Sequence, residues 1–187
     1  MDYKYYYNNA ENRYYNACSE INNCENSINV LNNQRNQKIN HINQLKTDIK
    51  NNQEAFDELT EISKNDTKLH SKITNIVNKT NQASENFSGM VSSGNVVNKN
   101  LNDVYSAEMT NTQNTLNSIF SEINIQKNSL SIRITDLHNN LSSAESELNE
   151  IGSRIRSLES SLQDWRRIRN NASIDMEYYR RKMNEII

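Results

Sequence analysis

The chain has 187 residues, no proline and only three glycines; 34% of it is hydrophobic, the mean hydropathy is -0.93, and 21 basic against 23 acidic side chains leave a net charge of -2. So few turn-forming residues exclude a β-rich or α/β fold, which would need many tight turns. The near-neutral charge is no footprint of a dedicated nucleic-acid binder. A polar chain whose apolar residues are nonetheless regularly spaced reads as a few long helices, each burying one narrow stripe. The 35 asparagines are mediocre helix formers, but the apolar register runs through them.

The N-terminal residues Met1, Asp2, Tyr3, Lys4, Tyr5, Tyr6 and Tyr7 contain no apolar h-region, which predicts that no cleavable signal peptide is present. No run of 18 apolar residues offers a membrane span. From Tyr3 onward a heptad register predicts one long helix. Its two lines are Tyr7, Tyr14, Ile21, Ile28, Arg35, Ile42, Ile49, Phe56 and Tyr3, Ala10, Ala17, Cys24, Leu31, Lys38, Leu45, Asn52, Leu59. Arg35, Lys38 and Asn52 are polar breaks in it. Cys18 and Cys24 lie six residues apart, about 9 Å of helical rise, too far for an intrahelical disulfide. Cys24 falls on the stripe and reads as a small buried hydrophobe.

After Leu59 the apolar residues resume as Ile62, Leu69, Ile76, Ala83 and Met90, with Ile73 and Phe87 between them. The step Phe56, Leu59, Ile62 is 3+3 rather than 3+4, so a stammer is expected here. The segment from Phe87 to Asn95 holds Gly89 and Gly94 among three serines, the chain's one clear turn signal. Residues 98–114 carry a weak stripe (Leu101, Val104, Tyr105, Met109). A second long helix follows on Leu116, Ile123, Leu130, Leu137, Ala144, Ile151, Leu158, Trp165, Ala172, Tyr179 and Ile186. Its companion line is Phe120, Ile134, Leu141, Leu148, Ile155, Leu162, Met176 and Met183. Gly152 sits inside this helix, off the stripe.

The expected fold is therefore all-α: one antiparallel helical hairpin of coiled-coil type, a single domain over 1–187. Its helices run over about 3–87 and 97–186, with the turn at about 88–96 and the weakest stretch at 98–114. A turn centred near residue 91 places residue i opposite roughly residue 183 minus i. Pairing with a second copy would give a four-helix bundle and bury more stripe. The hairpin gathers Tyr3, Tyr5, Tyr6, Tyr7, Tyr14, Tyr15, Tyr178 and Tyr179 at one end, with Trp165 in the distal third. These rings form either a partner-binding end or surplus aromatic packing.

Little in the sequence supports catalysis. His41, His70 and His138 are isolated, without a second ligand at helical spacing. Glu145, Glu147 and Glu150 lack the Glu-x-x-His companion of helical di-metal sites. No phosphate loop, nucleophile elbow or zinc-protease motif occurs, so neither an enzyme nor a cofactor is expected. Toward the C-terminus Arg154, Arg156, Arg166, Arg167, Arg169, Arg180, Arg181 and Lys182 outnumber Glu159, Asp164, Asp175 and Glu177. Of these, Arg166, Arg167, Arg169, Arg180, Arg181 and Lys182 form a candidate basic patch. Three readings stay open for it: helix-dipole complement and stripe cover, an acidic protein partner, or nucleic acid or anionic membrane.

A polar helical hairpin with Phe87-Ser88-Gly89 at its bend resembles the WXG superfamily of type VII (Esx) secretion substrates. Phe87 takes the place of that family's Trp, and Gly89 that of its Gly. It is similar, further, to the longer helical proteins encoded with LXG toxins in Gram-positive bacteria, including the YwqH-like group. The resemblance implies a cytoplasmic protein, or one exported without a signal peptide. It also implies a helical partner: a WXG-like protein, an LXG toxin's N-terminal domain for which the chain serves as chaperone, or a second copy. Two departures stand out. The bend has Phe rather than Trp. The export signal Tyr-x-x-x-Asp/Glu is absent near the C-terminus, since Lys182 follows Tyr178 and Met183 follows Tyr179 at four residues; only Tyr7 and Glu11 match it. The expected function is a non-enzymatic helical adaptor, with a self-associating structural rod as the alternative.

Overall fold

In a computed structural model the chain forms two α-helices, α1 (Tyr3–Met90) and α2 (Val96–Asn184), packed antiparallel as a helical hairpin. The structure describes residues 2–90 and 96–185, with side chains for all of these except 77, 80, 81, 83–90, 96–103, 105 and 106. Helix α1 begins where Asp2 Oδ1 accepts a hydrogen bond from Tyr5 N–H at 3.1 Å, an N-cap that satisfies one of the first turn's free donors. Helix α2 ends with Arg181 and Lys182 in its last turn, where positive charge complements the dipole. Phe87 and Gly89 fall within the range of α1. Gly94, the third residue of the expected turn motif, lies outside the described residues.

The helices contain many threonines and asparagines that could compete with helical backbone bonding. Several instead turn their side chains back onto their own helix. Thr60, Thr67, Thr112, Thr115 and Thr135 each donate to the carbonyl four residues earlier, at 2.8–3.0 Å. Asn52, a polar break in the stripe, donates to the Asp48 carbonyl at 2.6 Å. These local bonds let polar residues occupy helical positions without an unsatisfied donor.

Two packing units divide the hairpin: Met1–Lys46 with Asn140–Ile187, and Thr47–Asn139. The first holds the buried core. Ala10, Ala17, Ile21, Cys24, Leu31, Ile42 and Leu45 from α1 meet Ala144, Ile155, Leu162 and Ala172 from α2. All eleven lie on the expected heptad lines. Ile21, Cys24 and Leu162 form its centre, with Ile28, Leu158 and Trp165 packed against them. Cys24 is buried and both cysteines are free thiols.

Two ion pairs in this unit lie 5 and 8 residues beyond the expected register, about one and a half to two helical turns. Arg13, expected opposite residue 170, pairs with Asp175 at 2.7 Å. Glu25, expected opposite residue 158, pairs with Arg166 at 2.9 Å. Helix α1 is described to Met90 and α2 from Val96, so the midpoint between the two described ends is residue 93 rather than 91. Each shift of the midpoint moves the opposing residue by twice as much.

The second unit corrects a larger expectation, the stammer. Helix α1 keeps its 3-4 alternation past Leu59, so the half-buried positions are Ser63, Asp66, His70 and Ile73. Ile62, Leu69 and Ile76, expected to continue the stripe, are 49%, 47% and 53% exposed. The reason lies in α2. Across the same unit it buries Leu116, Phe120, Ile123, Leu130, Ile134 and Leu137 by half at strict heptad spacing. A straight partner seam holds α1 in the matching register, and overwinding α1 alone would pull the two out of phase. Polar groups consequently enter the seam. Asp66 Oδ2 and Thr74 Oγ1 are buried with no hydrogen-bond partner, and no hydrophobic side chain of this unit is fully buried among the described residues.

Candidate functional site

In the first unit the termini of the two helices meet through aromatic rings. Tyr6 and Tyr179 stack across the pair at 5.5 Å between centroids and 23° between planes. Tyr5 lies edge-on to Tyr6, Tyr178 to Tyr179 and Tyr14 to Tyr15, all at 5.2–5.6 Å. Heptad position decides each ring's role. Tyr3, Tyr7, Tyr14 and Tyr179 fall on the stripe and are half-buried, whereas Tyr5, Tyr6, Tyr15 and Tyr178 are exposed. Trp165 packs against the Ile21, Cys24 and Leu162 core. The surface left at this end is thus a cluster of four exposed tyrosines whose rings are held by neighbours, amphipathic and already ordered.

Most of the basic side chains are paired with acids. Arg166 reaches Glu25 on α1, and Arg167 meets Asp164 at 3.1 Å. Arg181 pairs with Glu177, and Lys182 with Glu185 at 2.6 Å. The hydrogen bond and charge of Glu185 hold the Lys182 ammonium above its ordinary range. Arg169 is half-buried on the stripe side. Arg180 lines a shallow groove with Tyr7, Ser173, Met176 and Glu177. Alternating partners of this kind break up the positive field that phosphate backbones or anionic bilayers require.

Across the middle of the first unit Lys38 Nζ lies 2.8 Å from Glu147 Oε2, and Lys46 Nζ lies 3.4 Å from Glu145 Oε1. Two of the three glutamates weighed as a carboxylate site are therefore inter-helix ion-pair partners. His41, expected opposite residue 142, lines a groove with Lys38, Glu147 and Ile151. Among the described residues no three His, Cys, Asp or Glu side chains group closely enough to hold a metal ion. No described helix is long and apolar enough to cross a membrane. The grooves beside Arg180 and beside His41 are shallow and open at the surface.

What sequence reasoning missed is the outward apolar face of the second unit, carried by Ile62, Leu69 and Ile76. The signal was present as the 3+3 step after Leu59 and was assigned to the seam. No family model, curated protein or solved structure matches the chain.

Proposed function

We propose that the protein is a non-enzymatic helical adaptor that binds another helical protein, in a type VII secretion setting an LXG-type toxin or a WXG-like partner. The observation that carries the reading is how much apolar and aromatic surface the helix pair leaves uncovered. Exposed Tyr5, Tyr15 and Tyr178 stand at one end, and Ile119, Ile125 and Ile132 lie along α2. Added helices from a partner are the natural cover for such a surface. The hairpin fold supports a helical partner, and the Phe87-Ser88-Gly89 motif, which lies in the last turn of α1 rather than at the bend, supports the secretion setting by resemblance alone.

Co-expression with a neighbouring LXG toxin's N-terminal domain tests this. A co-purifying complex whose mass equals that of both chains is the expected result. A chain that associates only with itself, unaffected by any helical neighbour, overturns it and leaves a structural rod as the reading.

A further inference from the structure

The outward apolar row on α1 has a charge pattern beside it. Residues 54, 58, 61, 65, 68 and 72 follow the 4-3 spacing of one helix ladder, next to the line of Ile62, Leu69 and Ile76, and all are exposed. Their charges are sorted along the chain. Residues 51–63 contain Glu54, Asp57, Glu58 and Glu61 and no basic residue; residues 64–79 contain Lys64, Lys68, Lys72 and Lys79 and a single acid, Asp66. Within the helix Glu54 meets Lys50, and Glu61 meets Lys64, each at 3.7 Å. Glu58, Lys68, Lys72 and Lys79 form no ion pair with a described residue.

A segment acidic in its first half and basic in its second complements itself in one orientation. Two parallel copies would set Glu58 beside Glu58 and Lys72 beside Lys72. Two antiparallel copies, related by a two-fold axis passing between Ile62 and Leu69, set each acidic half beside a basic half. The same operation brings Ile62 and Leu69 of one copy alongside Leu69 and Ile62 of the other. Such an isologous contact closes on itself and needs no second surface.

We propose that this face of α1, over residues 54–79, binds a second copy of the chain in antiparallel orientation. The apolar row supplies the buried area and the sorted charges set direction and register. This pairing is independent of the adaptor reading, because a dimer still presents its tyrosine end to another protein.

The experiment is solution mass by sedimentation over a range of concentrations, with circular dichroism to follow helicity. The wild-type chain is expected at twice 21.7 kDa. Lys68→Glu with Lys72→Glu, and separately Glu58→Lys with Glu61→Lys, are each expected at the single-chain mass with unchanged helicity. Mixing the two variants restores the doubled mass. A photo-crosslinker at Asn65, near the proposed axis, joins two copies through the same segment. The proposal is overturned by a wild-type chain that stays single at every concentration, as it would if a different helical protein covers the row or α1 rotates to bury it. It is equally overturned if both charge variants stay double, or if their mixture fails to pair.

Discussion

Lys38 Nζ lies 2.8 Å from Glu147 Oε2, joining α1 to α2 at a seam position where the heptad lacks an apolar residue. The lysine stem covers the stripe while its ammonium reaches the rim. The Lys38 hydrogen bond and charge hold the Glu147 carboxyl below its ordinary value of 4.5. The folded state therefore binds that proton more weakly than the unfolded chain does. The resulting stability is present in full above pH 4.5 and is lost as pH falls through the lower folded value. Glu147→Gln should lower the melting temperature at pH 7, and the difference should shrink progressively as pH falls below 4.5. A difference between the two chains that does not shrink with acid would contradict this linkage.

The contrast between the two units predicts unequal responses to one kind of substitution. Leu162 is in the buried centre of the first unit, and Leu69 is half exposed on the second. Leu162→Ala should cost about 2–4 kcal/mol through lost burial and a cavity. Leu69→Ala should cost under about 1 kcal/mol in the isolated helix pair, where little cavity is created. Urea titration at low protein concentration measures both, and equal losses would mean that Leu69 is buried in the seam after all.

Asp66 occupies a seam position with one carboxylate oxygen buried and unpartnered. Replacing it with an apolar residue removes an unsatisfied polar group and restores the stripe. Asp66→Leu is expected to raise stability by about 1–3 kcal/mol. A lower melting temperature for this variant would show that Asp66 faces water.

Gly152 lies in the middle of α2, and a Cβ added there would meet only the Arg156 side chain, at an ordinary 3.8 Å. No close helix approach depends on the missing side chain. Gly152→Ala should therefore stabilise the protein by roughly 0.5–1 kcal/mol through helix propensity and reduced unfolded-state entropy. Loss of stability in thermal unfolding would reveal a packing role for this glycine.

The aromatic end and the Lys38 bridge show how far local pattern reaches. Heptad spacing alone placed Tyr7, Tyr14 and Tyr179 on the stripe and Tyr5, Tyr15 and Tyr178 off it, and the rings lie accordingly. Ala10, Cys24, Leu162 and Ala172 are buried where the same spacing puts them. The pairing of basic residues with specific acids was not legible. Arg166 with Glu25 and Arg13 with Asp175 are separated by 141 and 162 positions, and which side chains meet depends on the register between helices.

By itself the sequence determined two long helices and the face each buries in the first unit, because helical periodicity is a property of one segment and its solvent. The tertiary structure decided the phase between them. Next to Leu59 the apolar pattern of α1 points to Ile62, while the unbroken heptads of α2 demand Ser63 and Asp66. A seam is shared, so the helix with the longer uninterrupted pattern sets it. The apolar residues it displaced, Ile62, Leu69 and Ile76, became an outer surface.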